Sequence, residues 1–517
     1  MKIITAETMQ ELDRQTIKEC GIPGLQLMEN AGRSCAEVVI AEFGTPGRCT
    51  VMAGKGNNGG DGYVIARLLA VKGWRVTVIL LAERAQVAGD AALNLAMLSG
   101  VEVHCCTVGG RLAALHSDEI FQSDVIVDAL FGTGLNSDVS GVYLEAVTLM
   151  NASGRPIVAV DIPSGVHGTT GRVLGEAVRA EITVTFALAK SGQILYPGAE
   201  YTGRLVVADI GIPPELMAAA PGYDFLDEET MRPLLRQRDR QAHKGAFGHC
   251  LVVAGSTGKT GAAALAANSA VRAGSGLVTV AVPERVHSIL ELKTTEAMTS
   301  ALPDSGKGHL TDCSLSAVLQ LLAGKDAVAL GPGLGNCPGT YAFVQGVLEA
   351  VTVPLVLDAD ALNALAGDVT VLQRKKSGQV ILTPHPGEMA RLQGTCVADV
   401  EASRISCALE FARSHGVFLI LKGARTVIAS PAGVVAINGS GNPGMASGGM
   451  GDVLTGIIVS LAGQGYSAWD ACCLGVFIHG FAANLVADEK GEIGITATDV
   501  LEMLPYAYKK LKGDVPC

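Results

Sequence analysis

Short apolar runs, each followed by a glycine-bearing turn or a helical stretch, recur along this chain in two separate series. The first series is RCTVMAG (48–54), RVTVILLA (75–82), DVIVDAL (124–130), PIVAVDI (156–162), ITVTFAL (182–188) and RLVVADIG (204–211). The second is GHCLVVAG (248–255), LVTVAVP (277–283), AVALGPG (327–333), PLVLDAD (354–360), QVILTPH (379–385) and VFLILKG (417–423). A strand with one wet face alternates apolar and polar residues. These runs are nearly continuous, so helices must cover both faces of a mostly parallel sheet. Between the series lies IPPELMAAAPGYDF (212–225), rich in Pro and Ala, which reads as a linker. With 517 residues the chain exceeds one ordinary core. Two α/β domains are therefore expected, 1–215 and 225–517.

Composition narrows the partners. The chain is 49% hydrophobic and 17% charged, as a packed globular protein is, and its net charge is −11. That charge argues against a nucleic-acid surface, which needs clustered Lys and Arg. Glu7, Glu11, Asp13 and Arg14 interrupt any signal-peptide reading of the start. The most apolar stretch, ACCLGVFIHGFAANLVA (471–487), contains His479 and Asn484 and reads as a buried helix, with no membrane partner expected. Thirteen cysteines lack any C-x-x-C pair, so reduced thiols in a cytoplasmic protein are expected. Cys105–Cys106 and Cys472–Cys473 sit in apolar runs and read as core.

Ligands of open parallel sheets bind beyond the carboxyl ends of the strands, and there the unusual residues cluster. GKGNNG (54–59) fits G-x-G-x-x-G, the dinucleotide fingerprint, with Glu83 at about the place of a ribose-binding acid. The motif alone is weak, and NNGGDG adds two amides and an acid that a bare pyrophosphate loop does not need. Asp128 closes one strand, and Asp161 and Ser164 follow another. Asn58, Asp128 and Ser164 offer hard oxygen ligands, suited to an alkali or alkaline-earth cation and unsuited to zinc. Against this stands the plain reading of such acids as turn and helix caps.

MENAG (28–32), GNNGGDG (56–62), DALFGTGL (128–135) and DIPSG (161–165) together resemble the NAD(P)HX epimerase family, whose substrates are hydrated NADH and NADPH. The resemblance implies a Rossmann-like three-layer sandwich. It implies substrate contacts from Asn57, Asn58, Gly59, Gly60 and Asp61, from Gly132, Thr133, Gly134, Leu135, Asn136, Ser137 and Asp138, and from Asp161. It also implies potassium at Asn58, Asp128 and Ser164, with Asp161 the candidate for proton handling.

In the second half, GSTGKTG (255–261) looks like a P-loop, but the spacing would require glycine where Val253 stands. GNPGMASGGMGDVLTG (441–456) is more informative. A glycine-rich helix start can hold phosphoryl oxygens on backbone N–H groups, and a carboxylate there, Asp452, can take a proton from an attacking hydroxyl. The plain alternative is an acid favoured by the helix dipole. This start is similar to the ribokinase-like superfamily. HKGAFGHCLVVAGS (243–256), LGPGLG (330–335), TPHPGE (383–388), LKGARTVI (421–428) and NPGMASGGMGDVLTG (442–456) look like ADP-dependent NAD(P)HX dehydratase. That resemblance implies substrate contacts from Ala262, Gly333, His385 and Asp452, and ADP contacts from Lys422, Gly423, Ala424, Arg425, Thr426 and Gly451. Magnesium is expected with ADP, since it neutralises charge on the transferring group.

The whole reads as a bifunctional repair enzyme, expected as a homo-oligomer. The alternatives are a ribokinase-like sugar or vitamin kinase with an N-terminal nucleotide-binding module, a non-catalytic first half, and an NAD dehydrogenase.

Overall fold

The computed structural model describes residues 1–513, which divide into two compact units: Lys2–Tyr223, and Asp224 onward together with Met1. Each unit has its own core.

In the N-terminal unit seven strands form one parallel sheet: β1 (Arg48–Ala53), β2 (Arg75–Leu80), β3 (Glu102–Cys105), β4 (Val125–Ala129), β5 (Ile157–Val160), β6 (Ile182–Phe186) and β7 (Arg204–Ala208). Their order is β3-β2-β1-β4-β5-β6-β7. Alternate residues serve opposite faces. Val51, Ala53, Val78 and Leu80 join one buried cluster with helices α1 (Ala6–Lys18), α2 (Gly24–Phe43) and α3 (Asn57–Val71). Met52, Ile79 and Ile126 join another on the opposite face. This is the three-layer arrangement expected. The chain runs outward in opposite directions from β1 and β4, so a crevice opens at their carboxyl ends.

The segment read as a linker is folded. Pro214–Ala219 is a short helix, Ile212 and Ala220 are buried in the first core, and Lys2 Nζ donates to the carbonyl of Ala218 at 2.7 Å and of Ala220 at 2.7 Å. Apolar side chains and a cation at a helix C-terminus hold it down. Cys105 also departs from expectation. It is exposed, because an edge strand turns alternate residues outward, while Cys106, Cys472 and Cys473 are buried. Cys20, Cys313 and Cys396 are exposed too, and Cys517 lies outside the described residues.

In the C-terminal unit the strands are β8 (His249–Val253), β9 (Leu277–Pro283), β10 (Met298–Leu302), β11 (Ala327–Leu330), β12 (Leu355–Leu357), β13 (Val380–Leu382), β14 (Phe418–Leu421), β15 (Val427–Ala429) and β16 (Val435–Asn438), in the order β10-β9-β8-β11-β12-β13-β14-β15-β16. They pair in parallel from β10 to β14, and β15 runs antiparallel to both neighbours. The order again reverses direction, between β8 and β11. Helices α4 (Thr260–Arg272), α6 (Met450–Gly463), α7 (Ala468–Lys490) and α8 (Ala497–Lys512) pack on one face, and α5 (Pro386–Gln393) follows β13. Helix α7 is long and apolar enough to cross a membrane, but 78% of its most apolar window is buried in the protein. Its polar residues differ in support: Asn484 is half-buried and bonded, whereas His479 Nε2 is buried with no hydrogen-bond partner among the described residues. Asn484 Oδ1 accepts from Asn442 Nδ2 at 3.1 Å, and burial, with Lys422 nearby, pushes the His479 imidazole down to about 4.

Candidate active sites

The stretch GNNGGDG does not form a loop. Helix α3 begins at Asn57, so Asn57, Asn58 and Asp61 belong to its first turns. The glycines are there for close approach rather than for a turn. A Cβ on Gly59 would lie 2.0 Å from the Gly54 carbonyl oxygen, one on Gly60 2.6 Å from Met28 Sδ, and one on Gly62 2.7 Å from Ala129 Cβ. MENAG serves the same contact from α2, since a Cβ on Gly32 would lie 2.5 Å from that of Val64.

This packing delivers Asn58 to the carboxyl end of β4. Asn58 Nδ2 donates to the Phe131 carbonyl at 2.9 Å, Phe131 N–H donates to Ser164 Oγ at 3.0 Å, and Ser164 Oγ donates to Asp128 Oδ1 at 2.6 Å. Asp128 is fully buried, and Oδ2 accepts from Ser164 N–H at 2.8 Å. Burial pushes its carboxyl up to about 6 against these hydrogen bonds. The three residues proposed from sequence as cation ligands thus share one bonded cluster.

Asp161 lies beside it, at φ 64, a backbone state few non-glycine residues adopt. Its Oδ1 accepts from Lys190 Nζ at 2.7 Å and from Thr185 Oγ1 at 3.0 Å, while Gln193 Nε2 donates to its carbonyl at 2.6 Å. Its Oδ2 points elsewhere: a Cβ on Gly132 would lie 3.4 Å from it and 3.3 Å from Asn58 Oδ1. Gly132 therefore floors a space bordered by both side chains. The loop beyond it is held at Thr133, whose carbonyl accepts from Gln10 Nε2 at 3.1 Å, and Leu135 is half-buried. Gly134 and Asn136, Ser137 and Asp138 are exposed at the rim, as is Asn57.

The second constellation gathers at three successive strand ends. Asp358 follows β12, Thr383 follows β13 and Lys422 follows β14. Asp358 Oδ1 accepts from Lys422 Nζ at 2.9 Å and Thr383 Oγ1 at 2.7 Å, and Oδ2 accepts from Thr455 Oγ1 of α6 at 2.8 Å. Helix α6 starts from Gly449, at φ 93. A Cβ on Gly451 would lie 3.3 Å from Lys422 Nζ and 3.8 Å from Asp358 Oδ2, so the first turn of α6 is pressed onto this pair. Asp452 stands in that turn. Burial and then Asp358 push its carboxyl up to about 7, with Asp360 adding to the rise and Lys422 opposing it. Burial disfavours the Lys422 ammonium, but Asp358 and Glu388 outweigh it and the group is held above its ordinary value.

Lys422–Thr426 forms the connection from β14 to antiparallel β15. Arg404 NH2 donates to the carbonyls of Leu421 and Lys422 at 3.0 Å each, Arg425 NH1 donates to that of Gly439 at 2.8 Å, and Thr426 Oγ1 donates to that of Gly423 at 3.0 Å. His385 caps α5: its Nδ1 accepts from Gly387 N–H at 3.0 Å, and its own N–H donates to Glu388 Oε2 at 2.8 Å. Burial lowers the imidazole, with Lys422 adding to the fall and Glu388 opposing it. A Cβ on Gly333 would lie 3.0 Å from Ala262 Cβ, so Ala262 and Gly333 adjoin at the switch between β8 and β11. Lys259, of the false P-loop, pairs with Asp360 Oδ2 at 2.8 Å.

Lys190, Thr185, Asp358 and Thr455 were not singled out from the sequence. DAD (358–360) at a strand end carried a usable signal, as did a lysine just after the ITVTF strand.

A family model described as NAD(P)H-hydrate dehydratase matches residues 250–506, and one described as YjeF-related protein N-terminus matches 24–192. The chain is 45% identical to the bifunctional NAD(P)H-hydrate repair enzyme of Moorella thermoacetica, across 100% of this chain and 98% of that one. It is 41% identical to the protein of the same name from Thermofilum pendens, across 99% and 97%. A crystal structure of the ADP/ATP-dependent NAD(P)H-hydrate dehydratase from Bacillus subtilis, co-crystallised with ATP and Mg2+, is 33% identical with a TM-score of 0.48, covering 56% of this chain and 99% of that one.

Proposed function

The chain belongs to the family of bifunctional NAD(P)H-hydrate repair enzymes, and we propose that its two units divide the repair between them. The N-terminal unit interconverts the R and S epimers of hydrated NADH and NADPH. The C-terminal unit dehydrates the S epimer at the expense of ADP, giving AMP and phosphate. The observation that carries the second assignment is the meeting of Lys422 and Asp452 at one helix start. An ammonium held by Asp358 faces the place for phosphoryl oxygens. A carboxyl whose proton affinity lies near neutrality can take the proton of the ring hydroxyl as it attacks phosphorus. Phosphate then leaves carbon 6 more readily than hydroxide would, carbon 5 gives up a proton, and the ring double bond is restored.

Ala262, Gly333 and His385 would contact the hydrated nucleotide, and Lys422–Thr426 with Gly451 the ADP. Among the described residues no group of three His, Cys, Asp or Glu side chains forms a metal cage. Magnesium therefore fits as an ion that arrives with the phosphates and keeps its waters. In the first unit, Asn58 Oδ1, the Asp128 carboxylate and the Ser164 oxygens make an all-oxygen donor set with a single formal charge, which fits potassium. We expect Asp128→Ala to weaken epimerisation and its potassium dependence while sparing dehydration of pure S epimer. The free thiols suit a cytoplasmic setting, and a homo-oligomer is expected.

The direct test is incubation with an epimer mixture of hydrated NADH plus ADP or ATP, following dihydronicotinamide absorbance. Restoration of NADH from both epimers is expected. A stable phosphorylated product without NADH would replace the dehydratase reading by a small-molecule kinase.

A further inference from the structure

Asp61 has no assigned role beyond contact with substrate, yet its setting is unusual. It stands one helical turn after Asn58 on α3, so the two share a face. Only 8% of the residue is exposed, and no described residue hydrogen-bonds its carboxyl. A buried carboxyl without a partner is costly. The groups that face it are acidic or neutral: Asp161, Asp13 of α1 and the Cys35 thiol of α2. Burial and then Asp161 and Asp13 hold it well above the usual carboxylate range. Asp13 itself is pushed up to about 6 by burial, with Asp161 adding to the rise and Lys190 opposing it. The one ammonium in this group, Lys190, is already bonded to Asp161 Oδ1, Thr185 Oγ1 and the Phe186 carbonyl, at 2.7, 2.9 and 3.1 Å. It leaves Asp161 Oδ2 turned to the space at Gly132.

Asp161 Oδ2 borders the space at Gly132, and Asp61, one helical turn from Asn58, which borders the same space, lies close enough to feel the Asp161 charge. The two carboxyls have opposite support: Asp161 is tied to an ammonium, and Asp61 has no hydrogen-bonding partner among the described residues. Environments that separate two carboxyls in this way assign a base and an acid. We propose that Asp61 is a second catalytic residue of the N-terminal unit, the acid that works against Asp161 as base, and that the pair epimerises the hydrate by opening its ring. This rests on the reading of that unit as the epimerase.

The step balances. Asp161 takes the proton from the hydroxyl on carbon 6. The oxygen electron pair forms C=O, and the C6–N1 bond breaks. The bond electrons go to N1, which takes the proton of Asp61. The product is an aldehyde joined to a secondary enamine. Rotation about C5–C6 presents the other aldehyde face. N1 then attacks it, returns its proton to Asp61, and the new alkoxide recovers the proton from Asp161. Nothing is oxidised or reduced, and the oxygen on carbon 6 stays in place. Amine-type nitrogen leaves poorly without a proton, which is why an acid is required opposite the base.

The test uses the full chain with pure R epimer of hydrated NADH, in potassium buffer without ADP, following S epimer by chromatography. Asp61→Asn should lower kcat at least about a hundredfold with little change in KM, and Asp61→Glu should recover part of the loss. With the unsubstituted chain in 18O-water, single-turnover S epimer should carry no label, a result that does not depend on how any variant folds. Epimerisation within threefold of normal in Asp61→Asn, an Asp61→Glu variant no better than Asp61→Asn, or one label per turnover would each overturn the proposal. A chain that gives no acceleration over buffer would instead overturn the epimerase reading beneath it.

Discussion

Each unit builds its site around one lysine–aspartate pair, but the two pairs face opposite ways. In the N-terminal unit the Lys190 side chain is 0% exposed and Asp161 10%, so the ammonium is behind and the carboxylate in front. In the C-terminal unit the Asp358 side chain is 2% exposed and Lys422 20%, so the carboxylate is behind and the ammonium in front. On the proposed assignments the member in front is the one offered to the ligand, and the member behind compensates its charge away from water. A forward carboxylate suits a neutral ring whose hydroxyl must give up a proton. A forward ammonium suits phosphate oxygens. Similar sheets thereby turn opposite members of the pair outward.

The sharpest way to break this contrast is to silence one site alone. Asp452→Asn keeps the helix start and should lower dehydration at least about a hundredfold with ADP still bound. Epimerisation should be unchanged, which chromatography of both epimers from pure R substrate would read. Near-normal NADH formation would reduce Asp452 to a helix-start acid.

The next effect concerns the rear charge. Lys190→Met leaves Asp161 buried without its ammonium and should destabilise the N-terminal unit by about 3–5 kcal/mol. The double variant Lys190→Met/Asp161→Asn should lose much less, since it removes both charges. Denaturant titration of the three proteins checks this, and equal losses in the single and the double would mean that the pair is not coupled.

A smaller effect is expected in pH. With Asp452 as the proposed base, dehydration should rise with pH through about 7, where its carboxyl is held. Asp358→Asn removes the neighbouring charge that contributes most to that elevation after burial, and the rise should move to lower pH. A profile that keeps its midpoint while losing amplitude would make Asp358 a mere support for Lys422. The smallest effect is expected of Lys259→Ala. Its half-exposed bond to Asp360 is a surface pair worth about 0–1 kcal/mol, so ADP affinity by calorimetry should stay within about threefold.

What the sequence made legible follows from chain locality. Strand ends, the glycines before Asp452 and the chain of Asn58, Asp128 and Ser164 announce themselves in short motifs. The partners that set their charge do not. Lys190 lies 29 residues from Asp161, Lys422 lies 64 from Asp358, and Thr455 lies 97 from it. Each is one polar residue at the edge of an apolar run, where a solvated strand end looks the same. GNNGGDG misled in another way. Its glycines resemble a turn, but they relieve crowding between α3 and its neighbours, which only packing reveals. Cys105 looked interior because its apolar run hides that β3 is an edge.

Two units with separate cores on one polypeptide also fix a number. Every ribosome that finishes a dehydratase has made one epimerase, so no promoter or decay rate can change their ratio. How far epimer supply outruns consumption is then set by turnover numbers alone. Selection on that balance must act on the side chains of the two sites rather than on expression.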